Sequence, residues 1–148
     1  MAEAEHSIVE LESNLADFED YEPLPGRAYD AQITEAELRM KEETGNEYYY
    51  VVFTIPPGHY PHDYAVENAP EGARLVYARL QKPTTANRRS ITALKNFMRT
   101  IGVSLKTNKI DPDAWVGRWA KLNIKKDTFN GDPINSIVSI EKSEMPGK

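Results

Sequence analysis

Aromatic and cationic side chains share the outward face of three segments that alternate with period two, as half-buried strands do. Alternation predicts an outward set of Tyr48, Tyr50, Val52 and Thr54 in the first segment, Leu75, Tyr77 and Arg79 in the second, and Trp119, Lys121, Asn123 and Lys125 in the third. Flat rings stack on unpaired bases at about 1–3 kcal/mol each, and Lys and Arg contact phosphates without reading sequence. This set predicts a surface for single-stranded nucleic acid. Packing of each tyrosine under a loop or the N-terminal segment is an equal alternative.

The charge distribution points to the same kind of ligand. Residues 74–126 contain thirteen Lys and Arg against only Asp111 and Asp113, whereas residues 1–23 contain eight acids and no Lys or Arg. A basic block of this kind typically faces an anion, although a merely solvated surface is the competing interpretation. The cations expected near phosphates are Arg79, Lys82, Arg88, Arg89, Lys95, Arg99, Lys121 and Lys125. Contacts to about four to six phosphates would give a log–log salt slope of about −3 to −4.

Phe129 directly precedes Asn130-Gly131, the dipeptide favoured in type I′ hairpin turns. The turn would place Phe129, exposed, at the tip of the loop between strands four and five, a binding loop in OB folds. Packing of the ring against its own strands is the competing interpretation.

Residues suited to catalysis or metal binding are sparse. The chain has no cysteine, which excludes disulfides, thiol nucleophiles and Cys-based metal sites. His59, His62 and Asp63 stand close together, but a proline separates the histidines and no fourth ligand is evident. The sequence also lacks phosphate-loop, HExxH, GxSxG and GxGxxG motifs. We therefore expect no enzymatic activity, no cofactor and no metal site.

The elements that position these residues fit one domain of 148 residues. We expect strands over residues 27–34, 47–55, 74–80, 118–126 and 134–142. A helix capped by Thr84 or Thr85 and ending before Gly102 should lie between strands three and four, and a short helical piece should follow Asp111. This order predicts a mainly β fold, a five-stranded Greek-key OB barrel whose helix plugs one end.

The acidic N-terminal segment, residues 1–23, is predicted to contain a short amphipathic helix. Ser7 and Glu10 fit a capping box, and Ile8, Leu11, Leu15 and Phe18 follow at helical spacing. Packing of these apolar side chains on the barrel is the simpler expectation. Covering the basic groove or docking on a partner are the alternatives. The core domain is expected over residues 24–142, with a short tail at 143–148.

The longest apolar run is far shorter than the roughly 18–20 residues of a membrane span. The N-terminus lacks the basic start and apolar stretch of a secretory signal. We expect a cytoplasmic protein with no membrane partner.

Four stretches form a recognisable pattern: residues 24–33 (LPGRAYDAQI), the strand between Gly45 and residues 58–60 (GHY), the basic helix of residues 88–103, and Val116-Gly117-Arg118 leading into strand four. This pattern resembles the phage-encoded OB-fold single-stranded DNA-binding proteins. Together the stretches lie within residues 24–141. The C-terminal residues 141–148 depart from the family, because they are nearly neutral where many members carry an acidic tail.

The resemblance implies sequence-independent binding and protection of single-stranded DNA during phage DNA replication or recombination, without catalysis, in the host cytoplasm. Replication or recombination proteins are candidate partners for the acidic N-terminal segment. Two other classes stay open at this point. One is a protein-interaction module, such as an adaptor or inhibitor, that binds no nucleic acid, and the other is a metal-dependent nuclease. Residue types leave the oligomeric state and the preference for DNA over RNA undetermined.

Overall fold

The structure, a computed structural model, describes residues 7–145. Five strands and one α-helix make up the fold: β1 (Ala28–Met40), β2 (Glu47–Ile55), β3 (Ala73–Gln81), α1 (Arg88–Thr100), β4 (Trp119–Phe129) and β5 (Asp132–Lys142). Short 3-10 turns lie at Leu15–Asp17, Pro57–His59, Val66–Asn68 and Pro112–Trp115. The predicted order of three strands, a helix and two strands is confirmed. Within the described residues, no helix is long and apolar enough to cross a membrane.

The five strands form one antiparallel open sheet in the order β3-β2-β1-β4-β5. The central strand β1 is shared, since residues 28–32 pair with β4 and residues 32–40 pair with β2. A bulge between Ile33 and Glu35 separates the two halves. Bulges bend a strand and increase its twist, which allows one long strand to serve two neighbours.

The sheet edges β3 and β5 approach each other at one point. The Arg79 guanidinium of β3 donates a 2.6 Å hydrogen bond to the backbone carbonyl of Ile137 on β5. Within residues 7–145, β3 and β5 are not paired by backbone hydrogen bonds as neighbouring strands of a sheet are. The structure therefore shows a mainly β chain with an open sheet, and it does not show closure of the predicted barrel or its Greek-key topology.

Alternation predicts the core correctly in β1, β2 and β4. The inward residues there are nearly or fully buried: Tyr29, Ala31, Ile33, Tyr49, Val51, Phe53, Ile55, Ala120, Leu122 and Ile124. Trp115, from the turn before β4, is completely buried, and its ring lies 5.0 Å from that of Tyr49 and 5.2 Å from that of Phe97. The helix face of Leu94, Phe97 and Met98 joins the same core.

Val52 lies on the outer face of β2, yet it is fully buried. It is in register with Glu35 of β1 and Val76 of β3. A 2.7 Å ion pair between Arg74 of β3 and Glu35 of β1 passes over β2 on this face. This part of the outer face is therefore covered by the protein's own side chains.

The predicted face assignment is wrong for residues 75–78 of β3, whereas Leu80 is buried and Arg79 is exposed as predicted. Leu75 and Leu80 are both buried although five positions separate them, which regular alternation forbids. The register explains this, because Tyr49 pairs with Leu80 while Val51 pairs with Tyr77, so β3 carries one extra residue. Leu75 and Tyr77 were expected outside and lie inside, and Val76 and Ala78 were expected inside and are exposed.

The helix α1 begins later than predicted. Asn87, not Thr84 or Thr85, is its N-cap, and the Asn87 side chain accepts hydrogen bonds from the backbone N–H groups of Arg89 and Ser90. Gly102 has a φ of +81°, as expected for a glycine just past a helix end. The predicted short helical piece is present at Pro112–Trp115, with Asp111 as its cap.

The predicted N-terminal helix is not shown. Within the described part of this segment, only Leu15–Asp17 form a single 3-10 turn. The side chains of Ile8, Leu11, Leu15 and Phe18 are 50–79% exposed, so they do not pack on the sheet. An amphipathic stripe gains helical stability mainly from a surface to pack on, and this stripe has none here. Residues 1–6 and 146–148 lie outside the described residues.

Candidate nucleic-acid interface

Tyr48 and Tyr50 lie half-buried on the outer face, at the end of the sheet where β1 turns into β2. The guanidinium of Arg39 sits 3.5 Å from the centre of the Tyr50 ring. The ammonium of Lys41 lies 5.7 Å from the centre of the Tyr48 ring. The ring faces attract these cations, so positive charge lies directly beside both tyrosine rings. We call Arg39, Lys41, Tyr48 and Tyr50 the hairpin cluster.

Sequence reasoning missed Arg39 and Lys41 as candidate site residues. The signal was the β1–β2 register, in which Arg39 lies opposite Tyr48 and Glu37 opposite Tyr50. Gly45, with a φ of +75°, lies in the connecting turn. A hairpin turn at Gly45 would have placed Arg39 opposite Tyr48. The predicted first strand ended at residue 34, so it did not include Arg39 or Lys41.

Carboxylates accompany the cations at this end of the sheet. Glu37 bonds Arg39 at 2.8 Å and raises the pKa of that guanidinium, and Glu47 bonds Lys82 at 3.1 Å. These pairs are solvent-exposed, so each contributes little to stability and the glutamate exchanges readily for another anion. A phosphate bound by Arg39 or Lys82 would have to compete with a glutamate.

Trp119 and Lys121 form a second outward group, in the first half of β4. Trp119 is half-buried opposite Gln32, with its ring centre 5.8 Å from that of His59. Lys121 lies in register between Asp30 of β1 and Glu141 of β5, yet it makes no ion pair with any described residue. The Asp30 carboxylate instead accepts a hydrogen bond from the Ser143 hydroxyl at 2.6 Å. Lys121 is therefore available to an external anion.

The two outward aromatic groups share one face but are not adjacent. Trp119 lies opposite Gln32 and Tyr48 opposite Arg39 on the same strand, so seven residues of β1 separate them. At a rise of about 3.3 Å per residue, the separation is roughly 20 Å. A ligand that contacts both groups must be extended.

Tyr77 and Arg79 are not free on the outer face as predicted. The Tyr77 ring stacks on Phe97 of α1, with ring centres 5.9 Å apart and planes inclined by 7°. The Arg79 guanidinium donates a hydrogen bond to the Ile137 backbone carbonyl. The bulge in β3 accounts for the inward position of Tyr77, whereas Arg79 keeps the exposed position that alternation predicts and bonds β5 from there.

Exposed cations lie in the connection from β3 to α1 and in the first turn of α1. Arg88 and Arg89 occupy the first turn of α1 and are exposed, and neither forms an ion pair within residues 7–145. Lys82 lies six residues before Arg88. A helix N-terminus also carries partial positive charge, so this corner attracts anions.

The β4–β5 hairpin carries the remaining predicted residues. Asn130 and Gly131 have φ values of +52° and +84°, and the type I′ hairpin is confirmed. Phe129 is 66% exposed at the tip, as predicted. Lys125 lies 3.9 Å from Asp127, a long and exposed contact that leaves its charge accessible. This tip lies beyond the β1 end opposite to the hairpin cluster.

His59, His62 and Asp63 do not form a metal site in the structure. Within residues 7–145, no group of three or more metal-ligating side chains comes together. His59 instead makes a 3.0 Å hydrogen bond between its Nδ1 and the Asp30 backbone carbonyl. Its role is to hold the β2–β3 connection against β1, next to Trp119.

The chain matches no protein-family model and no curated protein sequence.

Proposed function

We propose that this protein binds single-stranded DNA without sequence preference and keeps it unpaired and protected, in the replication or recombination of phage DNA. The observation that carries the proposal is the outward face itself. There the Arg39 guanidinium covers the Tyr50 ring, and Trp119 is two positions along β4 from Lys121, which forms no ion pair within residues 7–145. Rings supply stacking on bases, and cations supply contacts to phosphates.

The strand order supports an OB-type fold for this function. A five-stranded barrel opened between β3 and β5 would give the order β3-β2-β1-β4-β5, with the helix between β3 and β4. Arg79 and Ile137 touch at the place where such a barrel would close. We therefore propose that the sheet is an OB barrel whose final seam is bridged by a side chain.

Bound DNA would run from the hairpin cluster to Trp119 and on toward Phe129. Bases would stack on Tyr48, on the outer surface of the Arg39 guanidinium over Tyr50, and on Trp119. Guanidinium planes stack on bases as rings do. Lys121, Lys125 and the exposed pair Arg88 and Arg89 would neutralise phosphates. Tyr77 has no place on this path, since it is packed on Phe97.

Fluorescence anisotropy of a labelled oligo-dT, compared with a duplex of equal length at low and moderate salt, tests the proposal. We expect tight, salt-sensitive binding to the single strand and weak binding to the duplex. Trp119→Ala and Tyr50→Ala should each weaken binding by about 1–3 kcal/mol without unfolding the protein. Tyr21→Ala is the matched control, because Tyr21 is 48% exposed but lies outside the proposed path.

A second candidate is a protein-interaction module that binds no nucleic acid. The observation that favours it is the exposed apolar side chains of the acidic N-terminal segment, such as Ile8 (74%) and Leu15 (79%). Absence of binding to either oligonucleotide, even at low salt, would support this candidate and overturn the first.

A further inference from the structure

An apolar groove lies between α1 and the chain that follows it. Its volume is about 390 Å³, and it opens to solvent. Ile91, Leu94 and Met98 of α1 form one wall, and Leu105 and Ile110 form the other. Leu94 and Met98 also contribute to the core, and the groove includes no residue of the outward aromatic groups.

Cations outnumber acids in the chain around the groove, where Asp111 and Asp113 follow the lining residue Ile110. Residues 82–110 contain seven Lys and Arg and no Asp or Glu. Lys95 lines the groove directly, and Lys106 and Lys109 lie in the segment that forms its second wall. Among the described residues, these three lysines form no ion pair. The groove therefore fits an apolar ligand that carries negative charge.

The same chain contains a segment with that chemistry. Residues 7–20 carry five acids and no Lys or Arg. Ile8, Leu11 and Leu15 recur at helical spacing and are 74%, 50% and 79% exposed. As a helix, positions 8–15 would span about 10.5 Å, the same length as positions 91–98 along the wall of the groove.

In this chain the segment lies elsewhere. Residues 17–20 border a shallow cavity with Ala65, Glu67 and Asn68 of the β2–β3 connection. The chain is then fixed at Glu22, whose backbone N–H bonds the Asn68 side chain at 2.9 Å and whose carboxylate bonds Lys126 at 3.2 Å. No residue of the segment lines the groove.

We propose that the groove binds the N-terminal segment of a second copy of this chain, folded there as an amphipathic helix. Ile8, Leu11 and Leu15 enter between α1 and residues 105–110, and the flanking acids face Lys95, Lys106 and Lys109. Helix-in-groove recognition of this type uses apolar anchors at i, i+3 and i+7. Each copy supplies both a segment and a groove, so two copies can exchange segments reciprocally.

Sedimentation velocity of the full chain over a concentration series, without nucleic acid, tests the proposal. We expect a monomer–dimer equilibrium that weakens as salt is raised, because the charge complementarity is screened. The double variant Leu11→Ser/Leu15→Ser should weaken self-association by about tenfold or more, since it removes two anchors. Val138→Ser is the matched control, because Val138 is also an exposed apolar residue (55%) but lies on β5.

A variant of the groove gives an independent test. Lys95→Glu should weaken self-association to a similar degree, whereas Lys142→Glu, an exposed cation on β5, should not. Circular dichroism should show the same folded spectrum for all four variants. A chain that stays monomeric at every concentration would overturn the proposal, as would dimers that are unaffected by both the segment and the groove variants. Since no oligonucleotide is present, failure here leaves the DNA-binding proposal to its own test.

Discussion

Arg79 and Ile137 connect the two edges of an otherwise open sheet. The Arg79 guanidinium donates a 2.6 Å hydrogen bond to the Ile137 carbonyl, and this contact spans from β3 to β5. A cation that bonds a backbone carbonyl of an edge strand both satisfies that carbonyl and blocks pairing with another chain. The contact therefore gives Arg79 a structural role that the sequence pattern did not predict.

Replacing Arg79 should loosen the seam between β3 and β5. A hydrogen bond from a charged group contributes about 1.5–3 kcal/mol, and exposure of Arg79 reduces this, so we expect Arg79→Ala to cost about 1–2 kcal/mol. Urea denaturation measures the loss, and hydrogen exchange should be faster at the backbone amides near Ile137. Arg89→Ala is the control, because the Arg89 side chain is exposed and makes no ion pair within residues 7–145. Equal stability of the two variants would contradict this role.

Tyr77 should matter for stability and not for DNA binding. Its ring stacks on Phe97 with planes 7° apart, and it packs against the core cluster. We expect Tyr77→Ala to lower the free energy of unfolding by about 1–3 kcal/mol, less than for a fully buried ring. Affinity for oligo-dT should be unchanged at a temperature where the variant is folded. Lower affinity for oligo-dT together with unchanged stability would contradict this prediction and assign Tyr77 to the DNA-binding surface.

The error at Tyr77 shows what alternation can predict. In β1, β2 and β4 the apolar positions recur at even spacing, so the buried faces follow from the sequence alone. In β3 one extra residue between Tyr77 and Leu80 reverses the faces. Both faces of β3 contain apolar residues, so nothing in the local pattern marks the bulge, which depends on the pairing with β2.

Two other differences have similar physical origins. Thr84, Thr85 and Asn87 are all competent N-caps, and the choice of Asn87 depends on the backbone reaching helical geometry only at Arg88. The N-terminal capping box predicts a helix from local spacing, but residues 7–20 contain only the 3-10 turn Leu15–Asp17, and their apolar stripe meets no apolar surface. Local sequence patterns thus predicted which strands and helices form. The contacts between these elements determined where α1 begins and whether the N-terminal stripe is helical.

Tryptophan fluorescence should report DNA binding through Trp119 only. Trp115 is completely buried in the core, and Trp119 is half-buried on the outer face beside His59. Stacking of a base on Trp119 should quench its emission. We expect oligo-dT to quench the native protein and to leave the emission of Trp119→Phe almost unchanged. Undiminished quenching in Trp119→Phe would mean that the ligand affects the emission of Trp115, and it would contradict the proposed path.

Lys121 should contribute one phosphate contact to the salt dependence. It faces outward and forms no ion pair among the described residues. Removing one contact to a single strand should flatten the log–log salt slope by about 0.7. We expect this change for Lys121→Gln in anisotropy titrations at several salt concentrations. Lys142→Gln, on β5 and outside the proposed path, should keep the native slope, and equal slopes for both variants would remove Lys121 from the site.

Tyr64 should make the fold sensitive to alkaline pH. Burial, together with smaller contributions from the neighbouring Tyr21, Tyr60 and Glu22, raises the pKa of Tyr64 to about 12 from an ordinary value of 10.0. In the unfolded chain the phenol ionises near pH 10, so its contribution to stability is complete below pH 10 and is lost as the pH rises toward 12. Thermal unfolding between pH 9 and pH 12 should therefore show a falling Tm, and the Tm of Tyr64→Phe should fall less steeply over this pH range.

The variant also loses the hydrogen bond that the Tyr64 hydroxyl donates to the Glu22 carbonyl, which lowers its Tm at neutral pH. The slope is the decisive quantity, and identical slopes for the native protein and Tyr64→Phe would contradict the raised pKa.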